Sequence, residues 1–239
     1  MQVYDYPTYT LTAIPHLGAL ENTIHLIFDK KTKKCCVIDP AWESDLFIKI
    51  ATENGYTITD IWLTHWHPDH VNGVDELVNK TNAKVFIGIN DKPYLKIKTN
   101  VHTLNKETTI SIGNTVAKII QTPGHTAGGI SFLLENNFIV GDTLFVYGAG
   151  HCILPGGNSK LFFHTMRHIV NTIPNQVLLH CGHDYGTTWT TDMAEQKKHN
   201  PFLLIEDEND FIRYSDDIHG QTREYPMAPM TKAETLALL

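Results

Sequence analysis

The run Thr64-His65-Trp66-His67-Pro68-Asp69-His70 packs three imidazoles and a carboxylate into six residues, at the end of the β-type segment Ile58–Thr64. In an extended segment residues i and i+2 point to the same side, so His65 and His67 are placed to grip one cation together. Pro68 limits continuation of the strand, and the turn into a helix aims Asp69 and His70 at a neighbouring point. A single histidine is most simply read as an ordinary core or surface residue. Three with an aspartate at one strand end are not.

Three further motifs repeat the arrangement. Ser111–Thr122 predicts one or two strands ending at Pro123-Gly124-His125. Gly129–Leu134 and Asn137–Val140 predict a tight hairpin around Glu135-Asn136 that ends at Gly141-Asp142. Gln176–Cys181 reads as a buried strand running into Gly182-His183-Asp184-Tyr185. Loops at one edge of a rigid sheet are where residues distant in sequence converge. Asp142 is placed to bridge two cations, and His183 supplies another imidazole. Five histidines and two carboxylates suit Zn²⁺, Fe²⁺ or Mn²⁺. Ca²⁺ and Mg²⁺ want oxygen ligands instead. No cysteine belongs to the set, which argues against a closed structural zinc site. The remaining histidines, among them His25, His180 and His219, are read as ordinary residues.

The rest of the chain supplies the frame. Thr23–Phe28 and Cys35–Ile38 read as a hairpin joined by the polar stretch Asp29–Lys34, and Ser44–Asn54 as an amphipathic helix closed by Gly55. Val71–Asn79 predicts a short helix, Lys84–Ile89 a strand and Ser159–Asn171 an amphipathic helix. The expected division is a catalytic domain over residues 1–194 and a short extension over 195–239 packed on it. The stretch between Asn90 and Lys106 is a candidate border for a substrate cleft. With 42% hydrophobic and 19% charged residues in 239, the chain has the balance of a globular protein. A net charge of −7 argues against a nucleic-acid footprint. No leader pattern opens the sequence and no apolar run approaches the ~20 residues of a membrane span, so a cytoplasmic location is expected.

The His65–His70 run resembles the T-H-x-H-x-D-H signature of the metallo-β-lactamase superfamily, and His125, Asp142 and His183 follow in the order and approximate spacing of its remaining motifs. Within it, Pro123-Gly124-His125-Thr126, Gly141-Asp142-Thr143-Leu144-Phe145 and Gly182-His183-Asp184-Tyr185 resemble the glyoxalase II (hydroxyacylglutathione hydrolase) and persulfide dioxygenase group. The resemblance implies an α/β (α+β) chain folded as a four-layer αββα sandwich. It implies a first metal held by His65, His67 and His125, a second by Asp69, His70 and His183, and Asp142 bridging. Asp39 matches an early strand-end aspartate that supports ligands rather than binding metal. Tyr185 sits at a position that can contact substrate. Where the group carries a basic residue after Gly-x-Gly, this chain reads Gly148-Ala149-Gly150-His151, so His151 would make a weaker, pH-dependent anchor for a thiol's carboxylate.

What the resemblance implies is a metallo-hydrolase cleaving (hydroxy)acyl-thiol conjugates with a metal-bound hydroxide that Asp69 orients, most simply on two zinc ions. The alternative is a persulfide dioxygenase with a single Fe(II) held by His65, His125 and Asp142. A non-catalytic metal-binding protein is disfavoured by the intact donor set. The partner expected is a small-molecule thioester or thiol conjugate, with no nucleic acid and no membrane; a homodimer is compatible with the sequence.

Overall fold

The strands β1 (Gln2–Asp5), β2 (Tyr9–Leu17), β3 (Asn22–Asp29) and β4 (Lys34–Ile38) form an antiparallel meander. After helix α1 (Ser44–Glu53), the next strand, β5 (Thr57–Trp62), lies parallel to β4. Helices α2 (Pro68–Val71) and α3 (Val74–Thr81) lead to β6 (Lys84–Gly88) and then β7 (Val101–Leu104), both again parallel. The seven strands stand in sequence order in one mixed sheet. Helical crossovers are what parallel neighbours require, and hairpins suffice for antiparallel ones. This computed structural model describes residues 1–105, 108–222 and 224–239; Lys106, the far border of the expected cleft stretch, lies outside them.

The chain divides into two compact units, Met1–Ile120 and Gln121–Leu239. In the first, every residue of β3 is buried. Phe47 and Ala51 of α1, and Val74, Leu77 and Val78 of α3, join its core with Leu26, Val37, Ile61 and Val85. The expected helix over residues 71–79 is instead two helices, α2 and α3, broken at Gly73. The break has a close-approach cause: Gly73 N–H donates to the Pro40 carbonyl at 3.1 Å, and a Cβ there would lie 2.5 Å from that oxygen. Strands β1, β2 and β7 had no counterpart among the expected elements. The unit ends in β8 (Thr109–Ile112) and β9 (Thr115–Gln121), an antiparallel pair whose turn is tied to the β3–β4 turn by Asp29, which accepts from Asn114 N–H and the Thr115 hydroxyl.

In the second unit β10 (Ile130–Leu134) and β11 (Asn137–Gly141) make the expected hairpin. Helix α4 (Ser159–Thr172), capped by the Asn158 side chain on Leu161 N–H, carries the chain across to β12 (Leu178–Cys181), parallel to β11. The short helices α5 (Met193–His199), α6 (Pro201–Leu204) and α7 (Glu208–Arg213) follow. Next come a π-helical turn over Tyr214–Ile218, α8 (His219–Thr222) and α9 (Lys232–Leu236). Phe202 of α6 meets the rings of Phe162, Phe211, Tyr214 and His219, anchoring these helices on α4. Among the described residues no helix is long and apolar enough to cross a membrane.

Candidate metal centre

Four strands end immediately before the four polar motifs: β5 before His65, β9 before His125, β11 before Asp142 and β12 before His183. In the first unit the exit of β5 is clamped by Asp39. Its Oδ1 accepts from Thr64 N–H at 2.7 Å and its Oδ2 from the Thr64 hydroxyl at 2.5 Å. A hydroxyl has one proton to give. With that proton on Asp39, His65 Nδ1, 3.0 Å from Thr64 Oγ1, is the donor in that contact. The His65 lone pair is then on Nε2.

Asp39 fixes His70 by the same logic. His70 Nδ1 is 3.1 Å from Asp39 Oδ2, and an ionised carboxylate only accepts, so the His70 lone pair also lies on Nε2. That Nε2 is 3.4 Å from Asp69 Oδ2. The His65 ring lies 4.7 Å from that of His67 and 4.1 Å from that of His70, centroid to centroid. All three imidazoles are buried. One ligand atom each from Asp39, His65 and His70 fall within 4.8 Å of one another. The first unit thus brings together Asp39, His65, His67, Asp69 and His70, with Asp39 acting through His70 and Thr64.

In the second unit the sharp turn before His125 depends on Gly124, whose φ is +140° and whose absent Cβ would lie 2.4 Å from Phe162. His125 Nδ1 is 2.5 Å from the carbonyl oxygen of His151; a carbonyl only accepts, so here too the lone pair is on Nε2. Asp142 Oδ2 stands 3.7 Å from His125 Nε2 and 3.4 Å from His183 Nε2. Asp142 thereby faces imidazoles from the ends of two different strands. The His183 ring is stacked on Tyr185 at 4.7 Å and 6°, and Phe145 meets it edge-on at 5.8 Å. The Tyr185 ring therefore holds the plane of His183. The His151 ring is half-buried, 5.5 Å from that of His125.

In each unit the donors are imidazole nitrogens and carboxylate oxygens, with the second ring nitrogen of His65, His70 and His125 tied to a hydroxyl, carboxylate or carbonyl. Orientation by such outer partners is typical of ligating histidines, and the residues present fit a borderline divalent cation. The cysteines stand apart. Burial pushes Cys35, Cys36 and Cys181 up, and pushes Cys152 up to about 11, so none supplies a thiolate at neutral pH. Two supporting residues were not read from the sequence: Thr64 as a clamp, and Asn22, whose Nδ2 donates to both the carbonyl and Oδ2 of Asp69. The signal for Asn22 was a lone amide opening a strand otherwise buried and mostly apolar.

The model of the Metallo-beta-lactamase superfamily matches residues 18–195. The "Probable polyketide biosynthesis zinc-dependent hydrolase PksB" of Bacillus subtilis (strain 168) is 31% identical over 81% of this chain and 86% of its own length. A hydroxyacylglutathione hydrolase of Pseudomonas fluorescens (strain SBW25) is 32% identical over 73% of this chain and 65% of its own. Among solved structures, ETHE1 from Myxococcus xanthus superposes with a TM-score of 0.80 at 26% identity, covering 95% of this chain and 96% of that one. The chain belongs to the metallo-β-lactamase superfamily, in its glyoxalase II and persulfide dioxygenase group.

Proposed function

We propose that the chain is a two-metal thioester hydrolase, in which a first metal would take His65, His67 and His125 as ligands, as the family resemblance implies. A second metal would take Asp69, His70 and His183, and Asp142 would bridge the two. The observation that supports this most is the shared tautomer of His65, His70 and His125. Each presents Nε2 as its donor because Nδ1 is hydrogen-bonded elsewhere. Zinc is the metal of choice, in keeping with the zinc-dependent hydrolase named among the relatives.

Cations bound there would supply a hydroxide nucleophile at neutral pH by lowering the pKa of water. The chain's own residues do the rest. Asp69 orients the nucleophile, and the thiolate departs without a strong general acid because it is already a stable anion. The raised cysteine pKa values leave no competing protein nucleophile of that kind. The substrate is an acyl- or hydroxyacyl-thiol conjugate, with His151 and Tyr185 bordering it.

The second reading is oxidation of a persulfide at one Fe(II) held by His65, His125 and Asp142. It is favoured by the 3.7 Å approach of His125 Nε2 to Asp142 Oδ2, which suits a shared single ion. Metal analysis beside two assays separates them. About two zinc per chain, thioester cleavage and no oxygen uptake are expected. One iron per chain with persulfide-dependent oxygen consumption overturns the hydrolase reading. Full activity in His183→Ala would point the same way, since His183 serves only the second metal.

A further inference from the structure

We propose that Asn22, locked in one orientation by Trp42, is the positioning residue for Asp69 and sets the affinity of the metal that Asp69 holds. Asn22 is wholly buried. Its Oδ1 accepts from the Trp42 indole N–H at 2.9 Å. An indole nitrogen is a donor only, so this contact decides which end of the amide faces which way. Nδ2 is thereby turned toward Asp69, and its two protons match two acceptors there, the carbonyl and Oδ2, each at 3.1 Å. An aspartate at position 22 would set oxygen against oxygen; a leucine would fill the space and supply no donor.

Trp42 is itself held in an unusual state. Its φ is +66°, a region that bulky side chains rarely adopt. Its backbone N–H donates to Asn72 Oδ1 at 2.8 Å. The indole lies so close over Gly18 that a Cβ there would come within 2.4 Å of the ring. Trp42 is also 42% exposed, so burial of its ring does not account for the strained backbone. Strain of this kind persists where surrounding contacts over-determine it, commonly beside a functional group. The relay to Asp69 gives it a purpose. Gly18, Asn22, Trp42, Asp69 and Asn72 all lie in the first unit.

The inference rests on the metal reading above only in that Asp69 is a ligand, and two readouts keep the claims apart. The first needs no metal. In stripped protein the Asn22 side-chain amide protons should exchange slowly, and about tenfold faster in Trp42→Phe, which keeps a ring and removes the N–H. The second is cobalt(II) titration of stripped protein. Asn22→Leu should weaken the second cobalt by about 10–100-fold and leave the first unchanged. Trp42→Phe should weaken it less, and Asn22→Leu with Asp69→Ala should titrate like Asp69→Ala alone. Should Asn22→Leu not fold, Trp42→Phe at its part-exposed position carries both readouts. Unchanged amide exchange in Trp42→Phe, wild-type cobalt affinity in Asn22→Leu, or additive losses in the double variant overturns the relay. A wild type that takes one cobalt with no effect of Asp69→Ala refutes the two-metal reading and, with it, the role in metal affinity. Amide exchange then decides the Trp42–Asn22 lock alone.

Discussion

His125 Nδ1 donates to the backbone carbonyl of His151, 2.5 Å away, so His151 supports His125 through its main chain. Main chain and side chain are therefore separable at this position. His151→Arg should leave metal content unchanged, because the carbonyl stays. Its added permanent charge should lower KM for glutathione conjugates by about three- to tenfold. Steady-state kinetics beside metal analysis reads both. An unchanged KM would count against a carboxylate anchor at this side chain.

Two neighbouring glycines should respond very differently to alanine. A Cβ at Gly150 would lie 2.5 Å from the Asp142 carbonyl oxygen and 2.6 Å from His125 Nδ1, both belonging to residues proposed as metal ligands. Gly150→Ala is expected to reduce metal content and to lower stability by about 1–3 kcal/mol. At Gly148 the nearest atom is Met227 Sδ, on a flexible side chain. Gly148→Ala should keep its metal and lose less stability, as urea unfolding and metal analysis would report.

Asp39→Asn isolates the charge behind His70. Asparagine tolerates the left-handed backbone found here, φ +51°, and can still accept from Thr64 N–H. It no longer requires His70 to carry its proton on Nδ1. Metal affinity is expected to fall by about 10–100-fold with little change in unfolding midpoint of the stripped protein. A chelator-competition titration showing wild-type affinity would remove Asp39 from the metal machinery.

His180 makes stability fall with acidity. It is buried, hydrogen-bonded through Nε2 to Asn137 Oδ1 at 2.8 Å, and burial pushes its pKa down from 6.5 to about 3. Between those values the unfolded chain binds a proton that the folded chain does not. Stability contributed by this site is full above about pH 6.5 and is lost as pH falls toward 3, by up to ~1.4 kcal/mol per pH unit. In stripped protein, denaturant titrations at pH 7, 6, 5 and 4 should show this slope, and His180→Gln should flatten it. Parallel slopes would mean that His180 accepts a proton while folded.

The strands that lead into the motifs were legible because each is an apolar or alternating run closed by Pro, Gly or a polar cluster, and the His65–His70 donors drew attention by density alone. The α/β class came with the family resemblance that those motifs carry. The split between α2 and α3 was not legible, because Gly73 breaks the helix for the sake of Pro40, on another segment. Asn22 and Trp42 were missed for a related reason. Their purpose lies in hydrogen bonds spanning 47 and 20 residues, and neither has a local spacing that marks it. Edge strand β1, exposed over most of its length, carries too little apolar alternation to announce itself.

The hydrogen bond from Gly182 N–H to the Gly141 carbonyl, 2.8 Å long, joins the residues immediately before His183 and Asp142. The sheet therefore fixes the backbone from which both side chains project. A protein stripped of metal should keep them in place, and reloading should be a simple second-order event. Its rate should rise in proportion to added metal, with no slow refolding phase preceding it.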